Sequence, residues 1–267
     1  MISPTTEDAR FASEQLAIGC DTMEHLLNGL RDSKGRVAEE VHALRKLGKS
    51  LRGGFSLFRL EKNAAREIQA IGRLLSNPRD AVSRFNTWNK LAWKGDPATV
   101  AAIGGLLEQH THSAARRPPP ETIAWCIERV NSARDILRAL DAASLPERME
   151  IGIRKLGKRV IKRCRHLDKH GEEDFHDARK ALKAYLGAIA FLPEGAIVPE
   201  QEMNELTKIL GDENDLATLS NWLESHGFTG DFAPGMWELL EDSRTKLRHQ
   251  AMMDAAVLVS EKGRKRK

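Results

Sequence analysis

Two segments of this chain carry one pattern, EVHALRKLGK at residues 40–49 and DFHDARKALK at residues 174–183. In each segment a histidine is followed by Arg, Lys and Lys at positions i+3, i+4 and i+7. The first copy contains His42, Arg45, Lys46 and Lys49, and the second contains His176, Arg179, Lys180 and Lys183. A repeat over this distance indicates a duplicated architecture and makes its polar residues candidates for a shared site.

The spacing of the repeat predicts two amphipathic helices. Positions i, i+3, i+4 and i+7 share one face of an α-helix, so each helix presents a cationic face. In the first copy Arg52 extends that face by a turn, whereas Leu186 stands at the equivalent position of the second. The opposite face of the first copy is apolar, with Leu44, Leu51 and Phe55.

The composition favours a soluble, all-α protein. Hydrophobic residues make up 41% of the 267 residues, charged residues 30% and aromatic residues only 5%. No stretch approaches about 20 uninterrupted apolar residues, so we expect no membrane span. The N-terminus lacks the features of a secretory signal. The three dispersed cysteines predict buried thiols in a reducing cytoplasm.

Apolar periodicity and helix-starting residues predict helices throughout the chain, and no segment is typical of a strand. We expect the second helix to be interrupted or bent near Gly53-Gly54. The predicted helices cover residues 6–30, 36–60, 63–75, 77 to about 91, 96–108, 121–140, 146–169, 172–192, 201–210, 212–225 and 234–260.

The prolines of HTHSAARRPPP at residues 110–120 predict a linker, because they cannot continue a helix. It divides a single domain over residues 6–260 into halves of about 6–115 and 119–260, followed by a basic tail at 261–267. Residues 75–82 also match 210–217 with a shift of one residue. Each half is therefore predicted to have a long basic helix, a shorter helix and a turn with Asp that enters another helix.

A third basic helix is predicted between Pro146 and Lys169. Its cations cluster on one face, although the whole chain has a formal net charge of only +4. Such a locally basic surface indicates a polyanionic partner. A solvated face with nearby acids is the alternative. Duplex nucleic acid also fits the charge, but no helix-turn-helix or zinc-finger spacing is present and aromatic residues for stacking are scarce.

Both repeat segments resemble the signature segments of the CHAD family, the conserved-histidine α-helical domain. VHALRKLGKSLR and FHDARKALK carry this resemblance. Arg79-Asp80 after Asn77-Pro78 and the segment LGDENDLATL are similar to that family's turns. The resemblance extends over about residues 6–260.

The resemblance implies an all-α fold of two four-helix-bundle-like halves, related by a pseudo-twofold axis, with a central basic groove or pore. It also implies binding of inorganic polyphosphate and association with polyphosphate granules. The implied site residues are His42, Arg45, Lys46, Lys49, Arg52, Arg73, Arg79, Arg154, Lys158, Arg159, Lys162, Arg165, His176, Arg179, Lys180 and Lys183. No catalytic residue, metal ligand or cofactor is implied.

Three features depart from the family pattern. Leu186 replaces a basic residue, Glu213-Asn214-Asp215 has no Arg before its Asp, and the first helix around His25 is poor in cations. We therefore expect the first copy and the helix from Arg154 to Arg165 to contribute more of the binding than the second copy.

Two other functions compete with polyphosphate binding. The chain could be a phosphate-processing enzyme in which His42 or His176 accepts a phosphoryl group or binds a metal. The surrounding Lys and Arg oppose that role, because a divalent cation prefers carboxylates. Alternatively, the chain could be a scaffold on a granule or on nucleic acid, anchored in part by its basic tail.

Overall fold

The computed structural model contains ten α-helices and one short 3-10 helix within the residues that it describes. It describes residues 4–32, 37–91, 93, 96–114, 117–167, 169, 171–197 and 201–264, with the backbone alone at 76–79, 113–114 and 261–264. The helices are α1 (Thr6–Asp32), α2 (Val37–Leu57), α3 (Ala64–Leu74), α4 (Ser76–Lys90), α5 (Pro97–Ala114), α6 (Pro120–Arg138), α7 (Leu145–Arg165), α8 (Glu172–Ile189), α9 (Gln201–Ser225) and α10 (Pro234–Arg264), with the 3-10 helix at Ala142–Ser144. The prediction of an all-α fold is confirmed.

Two compact units make up the chain. The first unit comprises Met1–Ser76, Arg117–Lys162 and Lys180–Glu200, and the second comprises Asn77–Arg116, Arg163–Arg179 and Gln201–Lys267. Each unit therefore takes helices from both sides of the triple proline. The predicted pseudo-twofold relation between sequential halves, and the groove between them, stay predictions.

The first unit contains a ring of four helices. α1 packs against α2 and α6, and α3 packs against the same two helices. Leu16 of α1, Leu44 of α2, Ile68 of α3 and Val130 of α6 are buried. Burying apolar side chains of this kind from water supplies most of the free energy that holds such a bundle together.

The second unit has its own core. It combines Trp88 of α4, Leu107 of α5, Leu219 of α9 and Leu240 of α10 with other apolar side chains, all of them buried. α9 and α10 also pack directly against each other. Each unit therefore has buried apolar side chains from several helices.

Glycines allow the helices of the first unit to approach closely. A Cβ atom at Gly53 of α2 would lie 2.6 Å from the Ala184 carbonyl oxygen of α8. At Gly187 it would lie 3.0 Å from the Ser50 Cα atom, and at Gly152 of α7 only 2.1 Å from the Leu57 carbonyl oxygen. The backbones of α7 and α8 thus lie directly against α2.

This packing corrects the expected interruption of the second helix. α2 runs through Gly53 and Gly54 without a break and ends at Leu57. Both glycines are buried. They allow neighbouring helices to pack closely against α2. This packing outweighs the intrinsic cost of glycine in a helix, which is roughly 1 kcal/mol per residue.

The extents of α9 and α5 also differ from the predictions. Residues 201–225 form the single helix α9, so the expected separation at Gly211 is wrong. The buried Leu206, Leu210, Leu216 and Leu223 continue the apolar face on both sides of that glycine. α5 extends to Ala114, well into the predicted linker, because the helix-breaking prolines begin only at Pro118.

The three cysteines are buried and free, as predicted. Burial raises the pKa of the Cys20 thiol to about 12 and those of Cys126 and Cys164 to about 11. These thiols therefore stay protonated near neutral pH and act as small apolar core residues. Among the described residues, no helix combines the length and the apolar character needed to cross a membrane.

We predict that Gly53→Ala lowers the free energy of unfolding by about 1–3 kcal/mol, because the new methyl group forces two backbones apart. Gly29→Ala is the control, since a Cβ atom there meets nothing within 4 Å. It should raise stability by about 0.5–1 kcal/mol through better helix propensity. Urea denaturation followed by circular dichroism measures both. Equal stability of Gly53→Ala and wild type would contradict the packing described.

Candidate polyanion-binding site

The polar face of α2 lies at the surface of the first unit. His42, Lys46, Lys49 and Arg52 are exposed, and Arg45 is half-buried. The Arg45 Nη1 atom donates a hydrogen bond of 3.0 Å to the Gly72 carbonyl oxygen in the last turn of α3. Carbonyl groups at a helix C-terminus carry partial negative charge, so this contact orients the guanidinium without cancelling its charge.

Arg52 and Arg73 are placed close together by α2 and α3. Partial withdrawal of the Arg52 guanidinium from water lowers the pKa of Arg52, and the positive charge of Arg73 lowers it further. Arg52 nevertheless remains exposed over the residue as a whole, and an arginine stays charged in proteins. The positive charges of Arg52 and Arg73 therefore act on each other.

α7 presents the longest set of exposed cations in the first unit. Its apolar side is buried through Leu156 and Val160. One basic residue, Lys155, is paired with Glu61 at 3.1 Å. The exposed predicted site residues on this part of the helix are Arg154, Lys158, Arg159 and Lys162.

The second cationic segment lies on α8, and its residues are divided between the two units. Lys180 and Lys183 belong to the first unit, where Lys180 is exposed and Lys183 is half-buried. Lys183 lies one helical turn before Gly187, whose backbone contacts Ser50 of α2. The close approach therefore holds the lysines of α8 and the cationic segment of α2 on directly packed helices.

His176 and Arg179 belong to the second unit, where both face one amide of α9. The His176 Nδ1 atom lies 3.0 Å from the Asn214 Oδ1 atom. The Arg179 Nη1 atom donates to the same oxygen at 3.3 Å. Asn214 thus contacts two residues of the repeat through one neutral oxygen atom.

Two acidic residues of the second repeat segment have structural contacts. Asp177 forms an ion pair of 2.9 Å with Arg163 of α7. The buried Asp174 accepts a hydrogen bond of 2.9 Å from the Lys169 backbone N–H, just before α8 begins. These contacts connect α8 to the end of α7 and to the turn that joins them.

A buried ion network supports the part of α9 that carries Asn214. Glu213 is only 3% exposed and pairs with Arg248 at 2.8 Å and with Arg244 at 3.3 Å. Glu172, in the first turn of α8, also pairs with Arg244. The network therefore links α9 and α10 to the start of α8, next to His176.

Two further predicted site residues are Arg79 and Arg165. Arg79 lies in α4, but its side chain is outside the described residues. Arg165 is exposed at the end of α7 and belongs to the second unit. Within the described part of the chain, no group of three or more His, Cys, Asp and Glu residues could hold a metal ion.

Asn214 and Glu213 were not predicted as site-supporting residues. The sequence contains a partial signal, because Asn214 stands where the matching segment of the first half has Arg79. From the sequence alone, this difference indicates only that a cation is missing in the second half. The fold shows that Asn214 faces His176 and Arg179. Nothing in the sequence indicates that Glu213 meets Arg244 and Arg248, which lie more than 30 residues further along.

Comparison with known proteins gives a consistent family and fold. The family model of the CHAD domain matches residues 17–224. The crystal structure of the CHAD domain from the plant Ricinus communis is similar, with a TM-score of 0.61 at 18% sequence identity. That match covers 92% of this chain and 87% of the plant chain. No curated protein matches the sequence significantly.

We expect Glu213→Gln to destabilise the protein by about 3 kcal/mol, because it leaves the buried guanidinium of Arg244 without its buried counter-charge. Glu241→Gln is the matched control. Glu241 pairs with the same arginine at 3.4 Å but is 54% exposed, so its loss should cost less than about 1 kcal/mol. Thermal and urea unfolding compare the two variants. Equal losses would show that burial of Glu213 is irrelevant to its contribution.

Proposed function

Because this chain belongs to the CHAD domain family, we propose that it binds inorganic polyphosphate through the exposed cations of its repeat segments and α7, without catalysing a reaction. The observation that supports this most strongly is the concentration of exposed Lys and Arg residues on α2, α7 and α8 of the first unit. The phosphates of such a chain would neutralise cations that otherwise repel one another.

The Arg52–Arg73 pair supports an anion as the ligand. Partial burial lowers the pKa of Arg52 and the positive charge of Arg73 lowers it further, so each cation raises the free energy of the other. Such an arrangement costs stability in the free protein. A phosphate chain bound across both guanidinium groups would convert this repulsion into two charge-assisted interactions.

Polyphosphate fits this surface better than nucleic acid does. Single-stranded nucleic acids bind where exposed aromatic rings stack on the bases. Here Trp88 and Trp222 belong to the core of the second unit, and Trp125 lies beneath the guanidinium of Arg129. Lys and Arg supply what a base-free chain requires, which is charge and hydrogen-bond donors.

Several carboxylates form ion pairs with arginine or lysine, and this supports a binding role rather than a catalytic one. Asp177 is paired with Arg163, Glu61 with Lys155, and Glu213 with Arg244 and Arg248. Carboxylates held by arginine and lysine lie in an environment that opposes Mg²⁺. We further propose that the protein acts in the cytoplasm, where polyphosphate granules would recruit it. Fluorescent tagging with and without polyphosphate synthesis tests that location.

We predict that the double charge reversal Arg154→Glu/Lys158→Glu weakens binding of long-chain polyphosphate by about tenfold or more at low salt. It should also make the slope of log affinity against log salt concentration shallower by about 2, because two phosphate contacts are lost. Both residues are exposed, so the fold should tolerate the change. Isothermal titration calorimetry measures the affinity, and circular dichroism checks the helix content.

The matched control is Lys90→Glu/Lys246→Glu, which makes the same change in net charge at exposed residues of α4 and α10. It should reduce affinity far less than the α7 variant. Equal losses would mean that only net charge matters, which would contradict a defined site on α7. Release of phosphate from polyphosphate by the wild type, with or without Mg²⁺, would contradict the non-catalytic role.

A further inference from the structure

The side-chain amide of Asn214 contacts two residues of the second repeat segment. Its Oδ1 atom lies 3.0 Å from His176 Nδ1 and 3.3 Å from Arg179 Nη1. Its Nδ2 atom lies 3.5 Å from the Thr218 Oγ1 atom, at the outer limit of a hydrogen bond. The Thr218 hydroxyl in turn donates to the Asn214 carbonyl oxygen at 2.8 Å.

The chemistry of arginine determines which end of the amide faces the repeat segment. A guanidinium has donors only, so the atom that faces Arg179 must be the amide oxygen. The opposite orientation would set the NH₂ group against a second donor. The contact with Thr218 agrees with this assignment, because it gives the NH₂ group an acceptor.

The orientation of the amide in turn determines where His176 carries its proton. The oxygen of Asn214 is an acceptor, so the Nδ1 atom facing it at 3.0 Å must carry hydrogen. The other ring nitrogen, Nε2, then holds a lone pair in the neutral imidazole and a second N–H in the imidazolium. An anion can accept a hydrogen bond from Nε2 only in the second case.

We propose that Asn214 is a positioning residue for the anion site: its amide oxygen accepts a hydrogen bond from His176 Nδ1–H, which leaves Nε2 to take up a proton and donate to the ligand, and the same oxygen orients Arg179. The ligand part of this inference rests on the proposed polyphosphate function. Because the amide is neutral, it orients both groups without reducing the positive charge. An aspartate would supply the same acceptor but would cancel one charge.

The placement of the proton is tested without any ligand. Nitrogen-15 NMR of histidine-labelled protein distinguishes the Nδ1–H and Nε2–H forms, and His176→Gln identifies the signal of His176. We expect the Nδ1–H form in the wild type. Asn214→Leu, which has a similar shape but no acceptor, should increase the Nε2–H fraction. An Nε2–H form in the wild type, or no change in Asn214→Leu, would overturn the proposal.

The effect on binding is measured by titrating the same variants with long-chain polyphosphate. Asn214→Leu should bind about threefold to tenfold more weakly than the wild type, which corresponds to the loss of one or two oriented hydrogen bonds. Asn214→Asp should keep the Nδ1–H form and lose affinity at low salt, with the difference shrinking as salt screens the added charge. Asn204→Leu, at an exposed position of the same helix, is the control and should bind as the wild type does.

The outcomes separate the two proposals. Wild-type affinity in Asn214→Leu would overturn the positioning role while leaving polyphosphate binding intact. A wild type that shows the Nδ1–H form but binds no polyphosphate would contradict the proposed function, and with it the ligand part of this inference. Circular dichroism of every variant confirms that the comparisons are made on folded protein.

Discussion

The backbones of α7 and α8 lie against α2 because three positions lack a Cβ atom. Gly53 and Gly187 bring α8 to α2, and Gly152 brings α7 to the end of α2. Helices in ordinary packing are separated by about 8–10 Å, and small residues at the contact give the shortest of these distances. The cationic segments of α2 and α8 therefore belong to helices whose relative position in the first unit is tightly constrained.

The cationic faces of these helices carry an electrostatic cost. Cations three and four residues apart on one helix repel each other. Burial lowers the pKa of Arg52, and the positive charge of Arg73 on α3 lowers it further. Two arginines of the repeat segments donate hydrogen bonds to neutral acceptors. Arg45 donates to the Gly72 carbonyl oxygen and Arg179 to the Asn214 amide oxygen. Each of these two contacts orients a guanidinium group through an uncharged oxygen atom.

The sequence was informative about local structure and about the faces of α2 and α8. A period of 3.6 residues is sufficient to separate His42 and Lys49 from the buried Leu44 and Leu51, and the structure confirms that separation. Periodicity alone was insufficient at Gly53 and Gly211. A glycine within an apolar pattern is typical both of a break and of a close helix contact, and only the neighbouring helices distinguish them.

Support from distant residues could not be predicted from one sequence. Asn214 lies 38 residues from His176 in the chain, and Glu213 lies 31 residues from Arg244. Such pairs depend on how α8, α9 and α10 pack in the second unit. The family resemblance made the cationic residues candidates for the site, but the contacts that orient some of them became visible only in the folded chain.

The affinity for long-chain polyphosphate as a function of salt concentration tests the central claim most directly. Each phosphate contact that displaces counterions contributes about 0.7–0.9 to the slope of log affinity against log salt. A site that uses four or more cations of α2, α7 and α8 predicts a linear fall with a slope steeper than about −3. Absence of binding at low salt, or an affinity that does not change with salt, would contradict the account.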